Sequence, residues 1–189
     1  GSMNCFNFAV SGAESSVARA AKGGSISSFT NYMAGFQSKV LAANPEGMVC
    51  SFLSNHDQDR ISGAFILDSN MKMAANLYLL SPGSPMIYYG EEIGQHGLSS
   101  DYPIQSNRKD LNWEAAAAQE GVDGSMLSHY RKLLAIRAAH KELFARADRT
   151  VLAMSDEEGY DIVKRAYGDD AVYIALNLGS EVKSVTVAV

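Results

Sequence analysis

The sequence predicts an α/β fold in which three βα units are followed by a small antiparallel β unit. Three apolar, strand-like runs at residues 4–9, 48–53 and 86–89 alternate with segments of helical periodicity. From residue 150 onward the hydrophobic period changes to two, and turn sequences such as SDEEG and YGDD separate short β-prone runs. The alternation predicts a parallel sheet covered by helices, and the later runs, ending with VKSVTVAV, predict a series of hairpins.

Helical periodicity justifies three helices between these strands. One helix is predicted between Ser25, a good N-cap candidate, and the NPEG stop, because apolar residues recur between them at steps of three and four. The same pattern predicts helices over 69–80 and 125–139. The segments 10–25 and 90–124 are predicted to be loops, although EAAAAQE in the second favours a short helical turn.

Composition limits the classes of function. The chain has 189 residues, is 47% hydrophobic and 20% charged, and carries a net charge of −5 without a Lys/Arg-rich tract. Nucleic acids and anionic membrane surfaces both favour a basic stripe, so we expect neither as a partner. Residues 1–3 (GSM) are interpreted as an expression remnant on a piece of a longer protein. The sequence therefore predicts no cellular location.

Polar loops follow two of the predicted strands. SNHDQDR (54–60) comes directly after MVCSFL, and YGEEIG begins at the end of MIYY. In parallel βα architectures, functional residues lie where strands end and the following loops begin, so the two loops are predicted to share one rim. The polar side chains predicted at this rim are His56, Asp57, Asp59, Arg60, Glu91 and Glu92.

These two loops carry a family resemblance. FLSNHDQDR resembles the last short signature motif of the alpha-amylase family of glycoside hydrolases, and KMAANLYLLSPGSPMIYYGEEIG resembles the stretch around that family's eighth barrel strand. Arg108 and Trp113 are similar to a looser R-x-x-x-x-W element of the same family. The resemblance covers residues 48–113, with the motifs in the family's order.

The resemblance implies a specific architecture. The chain would be a partial (β/α)8 barrel, namely its last three βα units, followed by a small antiparallel β-sandwich domain. Residues 4–140 would belong to the barrel, and 141–189 to the β domain or to part of it. Because three strands cannot close a barrel, two sheet edges would stay unpaired, and we expect self-association through these edges.

The resemblance also implies roles for individual residues. Asp57 matches the family's carboxylate that holds sugar hydroxyls and stabilises the transition state, and His56 matches a histidine that donates to the same sugar. Asn55 is expected to hold the loop through backbone hydrogen bonds beside the substrate. Asp59 and Arg60 occupy positions where the family lines neighbouring sugar subsites.

Further aromatic and acidic residues are expected near the rim. Tyr89 and Glu91 are candidate substrate-binding residues, while the Glu91–Glu92 pair also favours a solvated first helical turn. Trp113 and Tyr102 either stack on a sugar face or are buried under their loop.

The activity expected of this chain depends on two catalytic groups that we do not find in its sequence. Retaining hydrolysis requires a nucleophile and an acid, which the family carries in a G-x-R-x-D motif and in a strand-end Glu, and neither is found here. We therefore expect a parent enzyme acting on an alpha-glucan or maltooligosaccharide, with the 189-residue chain inactive by itself. A transglycosylase parent and a non-catalytic carbohydrate-binding or assembly fragment remain as alternatives.

No cofactor is visible in the sequence. Calcium is common in the family, so the resemblance allows a calcium ion in the longer enzyme, although no ligand set is legible here. A metal site formed by His56, Asp57 and Asp59 would lack the usual zinc spacing, and we assign no metal ligand. A Rossmann-like domain would share the βα rhythm, but no Gly-rich phosphate loop follows any strand.

Overall fold

The computed structural model describes residues 5–101 and 105–188, and two three-stranded sheets lie within those residues. The first sheet is parallel and consists, in spatial order, of β1 (Cys5–Asn7), β2 (Val49–Ser51) and β3 (Ser84–Pro85). Consecutive strands of the chain are therefore neighbours in space, which is the arrangement that βα units produce.

Helices connect and cover these strands. They are α1 (Ser16–Ala21), α2 (Ser27–Met33), α3 (Phe36–Ala43), α4 (Asp68–Leu79), α5 (Trp113–Gln119), α6 (Met126–Ala139) and α7 (Lys141–Arg146). The predicted helices α4 and α6 occur within one residue of their expected bounds, and the Ser125 hydroxyl caps α6 by accepting from the Ser128 N–H at 3.1 Å. None of the described helices is both long and apolar enough to cross a bilayer.

The predicted helix between Ser25 and NPEG is divided in two. Gly35 adopts a left-handed φ of +61° between α2 and α3, which interrupts the helical hydrogen bonding. Ser25 does not cap α2, because the first helical N–H, of Ser27, donates to Asp156 at 2.9 Å. Asp148 likewise accepts from the Gln37 N–H at 2.7 Å, in the first turn of α3. Both caps come from distant segments, so local sequence patterns do not predict them.

The segment 10–25 contains α1, which the sequence analysis assigned to a loop. Ser15 begins this helix, and its hydroxyl accepts from the Ala18 N–H at 3.1 Å. Six residues are too few to establish a helical period, which explains the missed prediction.

The third parallel strand lies earlier than predicted. It is formed by Ser84 and Pro85 rather than by 86–89, and only the Met86 N–H continues the pairing, by donating to Ser51 at 2.8 Å. An edge strand tolerates proline, whereas a central strand does not. Gly83 allows the close approach, because a Cβ at this position would lie 2.3 Å from the Val49 carbonyl oxygen.

The second sheet is antiparallel. It consists, in spatial order, of β4 (Thr150–Ser155), β5 (Tyr160–Tyr167) and β6 (Asp170–Asn177). The predicted hairpins therefore form, but the fourth run, VKSVTVAV, is not a strand over residues 182–188. The expected sandwich would need a second sheet facing this one, and the described residues after β6 do not supply it.

Arg165 joins the two parts of the fold. This β5 residue is fully buried, and its guanidinium donates to the Leu80 carbonyl at 3.1 Å and to the Phe144 carbonyl at 3.3 Å. It also lies 4.8 Å from the centroid of the Phe144 ring. The carbonyls belong to the C-terminal ends of α4 and α7, where helical carbonyls have no partner within the helix. One side chain therefore anchors the antiparallel sheet to the helical layer.

Glu91 lies in the core and not at the solvated rim where it was expected. It is 3% exposed, and one carboxylate oxygen accepts from the hydroxyls of Tyr78 at 2.5 Å and Tyr130 at 2.8 Å. Burial raises the pKa of Glu91 to about 7, against the lowering effect of these two hydrogen bonds. Glu91 thus connects α4 to α6, and its burial leaves almost no surface for contact with a substrate. The expectation of a solvated helical turn is wrong for this residue.

Replacing Glu91 with Gln should remove a pH-dependent cost of folding. The pKa of the Glu91 carboxyl is ~4.3 in the unfolded chain and about 7 in the folded chain. Between these two pH values, the folded state therefore binds more protons than the unfolded state. The stability contributed by the neutral acid is complete below the lower pKa and is lost as the pH rises through the higher one. We expect the free energy of unfolding of Glu91→Gln to exceed that of the wild type by about 4 kcal/mol above pH ~8 and to match it at pH ~4.

Urea unfolding across this pH range measures the difference. The matched control is Glu120→Gln, which alters an exposed carboxylate paired with Arg131 and should give no gain at alkaline pH. Equal pH dependence in the wild type and in Glu91→Gln would contradict the prediction.

Candidate functional site

The loop after β2 is shaped by Asn55. This residue is buried, and its side-chain oxygen accepts from the Asp57 N–H at 2.8 Å, while its carbonyl accepts from the Gln58 N–H at 3.3 Å. This is the Asx-turn geometry that Asn adopts readily. The expected loop-holding role of Asn55 therefore has a geometric basis, whereas its burial leaves little surface for contact with substrate.

His56 and Asp57 project from this turn side by side. Their side chains are 65% and 68% exposed, and His56 Nε2 lies 3.3 Å from Asp57 Oδ2. Both residues follow β2 on the carboxyl-terminal side of the strand, as the topology argument required. An imidazole and a carboxylate are thus presented together to solvent.

Arg108 completes this exposed group. Its Nη2 donates to Asp57 Oδ1 at 3.0 Å, and its Nε donates to the His56 carbonyl at 2.8 Å. The side chain is therefore a counter-ion for Asp57 and a support for the backbone of His56. The R-x-x-x-x-W spacing singled out Arg108 in the sequence, but nothing in that pattern indicated which residue it contacts.

Arg60 ties the two strand-end loops together. It is 3% exposed, its guanidinium lies 4.6 Å and 4.4 Å from the ring centroids of Tyr88 and Tyr89, and Nη1 donates to the Tyr89 carbonyl. Such burial makes Arg60 a support for both loops, and it also contributes to the lining of a cavity beside Asp59. Its expected place at a sugar subsite stays a prediction. Tyr89 is partly exposed, and its hydroxyl donates to the Lys109 carbonyl at 2.8 Å.

Asp59 faces a neighbouring cavity. Its carboxylate accepts from the backbone N–H and the hydroxyl of Ser99, both at 2.7 Å, and the backbone and side-chain hydrogen bonds lower the pKa of Asp59. A cavity of about 310 Å³ lies beside it, lined in part by Gly12, Gln58 and Leu98. Asp59 thus lines this cavity, two residues after Asp57 in the chain.

Within the part of the chain that the structure describes, no cluster of acidic, thiol or imidazole side chains could bind a metal ion, and one candidate aromatic residue is exposed. Within residues 5–101 and 105–188, no group of three or more His, Cys, Asp or Glu side chains could hold a metal ion. The calcium that the resemblance allowed therefore finds no such ligand set in the described residues. Trp113 is 73% exposed, which excludes burial under its loop, and Tyr102 lies outside the described residues.

Comparison with known proteins places this arrangement in a family context. A family model for the alpha amylase catalytic domain matches residues 1–116. The periplasmic alpha-amylase of Escherichia coli (strain K12) is 32% identical over 127 residues, which cover 67% of this chain and 17% of that protein. Alpha-amylase 3 of Dictyoglomus thermophilum is 30% identical over 161 residues, which cover 70% of this chain and 32% of that protein. The chain therefore spans less than a third of these relatives.

Solved structures show the same relationship at the level of the fold. Amy13B of Eubacterium rectale matches with a TM-score of 0.74 at 22% identity, over 93% of this chain and 39% of that chain. The alpha-amylase from H. orenii matches with a TM-score of 0.68 at 26% identity, over the same shares of the two chains. These neighbours are (β/α)8 barrel proteins, and the described sheets are consistent with part of that fold. Because the family model covers more than half of the sequence, this chain belongs to the alpha-amylase family of glycoside hydrolases.

Proposed function

We propose that the chain is part of a retaining glycoside hydrolase that acts on alpha-glucans, and that it contributes the His56–Asp57 pair to the active site. Residues 4–140 would form the last three βα units of the barrel, and residues 141–189 the following β domain. The exposed imidazole and carboxylate at the end of β2, supported by Arg108, are the observation that carries this proposal. Relatives named alpha-glucosidase and cyclomaltodextrinase agree with an alpha-glucan substrate.

The geometry of Asp57 suits a sugar with neighbouring hydroxyl groups. Oδ1 accepts from Arg108, and Oδ2 lies next to His56, so each oxygen keeps lone pairs that face solvent. Two adjacent sugar hydroxyls can donate to these oxygens, and such charge-assisted bonds strengthen as positive charge develops on the sugar ring. His56 Nε2 can form a hydrogen bond to the same ring. The pair would thus bind the sugar and stabilise its transition state.

Turnover needs two further carboxyl groups. In the retaining route, a nucleophile displaces the leaving group from the anomeric carbon while an acid protonates the departing oxygen. The sequence contains neither of the family motifs that carry these groups. We therefore assign sugar binding to this chain, and bond cleavage to the complete active site of the longer protein.

Maltotriose should bind the 189-residue chain weakly but specifically. Saturation-transfer difference NMR measures this binding. In Asp57→Asn, which keeps the shape and loses the charge, the dissociation constant should rise at least about tenfold, because hydrogen bonds to a charged group contribute about 1.5–3 kcal/mol. The matched control is Asp123→Asn, which alters another exposed Asp paired with a basic residue and should bind like the wild type. Equal affinities for all three proteins would refute the assigned role of Asp57.

The same chain should not hydrolyse maltooligosaccharides. A reducing-sugar assay on protein purified free of host amylases measures this, and Asp57→Asn serves as the blank. Because a trace of host enzyme would be equally active in both preparations, only activity that the substitution removes belongs to this chain. Such activity would overturn the proposed division between binding and cleavage.

The unpaired edge of the parallel sheet should lead to self-association. Within the described residues, β1 pairs on one side only, and both Phe6 in β1 and Phe8 directly after it are more than half exposed. Light scattering should give a mass that exceeds one chain and rises with concentration. Phe6→Lys should lower this mass, whereas Ile66→Lys, at an exposed position after β2, should leave it unchanged. A monomer at all concentrations would contradict the prediction.

A further inference from the structure

Asn107 is a fully buried residue that connects several segments of the candidate site. Its Nδ2 donates to the carbonyls of His56 and Gln58, both at 2.9 Å. Its backbone N–H donates to the Leu98 carbonyl at 3.3 Å, and its own carbonyl accepts from the Tyr88 hydroxyl at 3.1 Å. The residue thus links the loop after β2 to the segments that follow β3.

The two donors of the carboxamide have a particular arrangement. An Asn side chain carries two N–H groups on one nitrogen, and here they meet carbonyls that lie on either side of Asp57. The backbone at Asp57 is therefore fixed from both directions. The Asn55 turn fixes the same backbone from within the loop, by accepting the Asp57 N–H. Asp57 extends toward solvent from a segment whose polar backbone groups are held on the protein side.

We propose that Asn107 is a positioning residue that sets the orientation of His56 and Asp57, an inference that rests on the proposed function. Asn107 itself is 0% exposed and cannot touch a sugar, so it acts through the backbone of the loop. The next residue, Arg108, contacts Asp57 directly. One segment therefore supplies both the anchor for the loop and the counter-ion for its carboxylate. A loose support displaces functional groups by distances that weaken binding strongly.

The substitution Asn107→Asp tests this role. It keeps the shape of the side chain but replaces the donating NH2 group with an oxygen, which two carbonyl oxygens repel. We expect hydrogen exchange of residues 54–60 to accelerate at least about tenfold, and the dissociation constant for maltotriose to rise about tenfold. Exchange of residues 160–177, in the antiparallel sheet, should not change. Mass spectrometry of peptides measures both segments in one experiment.

A matched control lies in the same segment. Asn112 begins α5, and its side-chain oxygen accepts from the Ala115 N–H at 3.0 Å. Asn112→Asp keeps this acceptor and should change neither the exchange of residues 54–60 nor the binding of maltotriose. The two substitutions are chemically identical, so their difference reports whether the position needs a donor.

Acidification provides a rescue that a purely steric effect would not show. Once the new carboxyl group in Asn107→Asp is protonated, it regains one O–H donor for one of the two carbonyls. We expect protection of residues 54–60, corrected for the intrinsic pH dependence of exchange, to recover partly at low pH in this variant. The loop itself contains the titratable or charged groups His56, Asp57, Asp59 and Arg60, and Arg108 and Tyr88 lie against it or against Asn107. The wild type is therefore measured at each pH as the reference.

Each outcome decides the inference. Unchanged exchange at 54–60, a loosened loop with unchanged maltotriose affinity, or acceleration that extends equally to residues 160–177 would each overturn the positioning role. If the wild type binds no maltotriose, the proposed function fails, and the exchange data still decide whether Asn107 fixes the loop.

Discussion

The parallel pairing of β1, β2 and β3 is the constraint on which the rest of the structure depends. It brings the loop after β2 and the loop after β3 together at the carboxyl-terminal ends of the strands. There Arg60 joins the two loops by contacting the rings of Tyr88 and Tyr89 and by donating to the Tyr89 carbonyl. The pairing itself requires Gly83, since any Cβ there would collide with the Val49 carbonyl. Because glycine has no Cβ, Gly83 thus allows the close approach of β2 and β3 that assembles the site.

The sequence predicted the parts of this structure that depend on local pattern. The parallel arrangement of the first sheet, the helices α4 and α6, and the position of the site loop after β2 follow from periodicity and from the composition of strand ends. The family resemblance added the expectation that His56 and Asp57 bind the same sugar. Patterns of this kind indicate which residues face the core and which lie in a turn. They can be interpreted from sequence because the conformation of each such residue depends mainly on its near neighbours in the chain.

The features that the sequence did not predict depend on distant contacts. Asp148 and Asp156 cap helices more than a hundred residues earlier, and no local pattern relates them to Gly35 or Ser27. Glu91 was predicted to lie in a solvated helical turn, because acidic residues are favourable near the positive end of a helix. In the structure, two tyrosine hydroxyls on separate helices donate to its buried carboxylate. Side chains whose burial depends on such remote hydrogen bonds cannot be assigned from periodicity.

The candidate site separates its support from its reacting surface. Asn55, Asn107 and Arg108 hold the backbone of the loop, and each of them belongs to this chain, so the orientation of His56 and Asp57 is set by local contacts. Under the proposed function, the groups that cleave the glycosidic bond would lie opposite this surface. The loop that carries His56 and Asp57 could then keep its geometry while other segments of the enzyme vary, because its supports come from this chain.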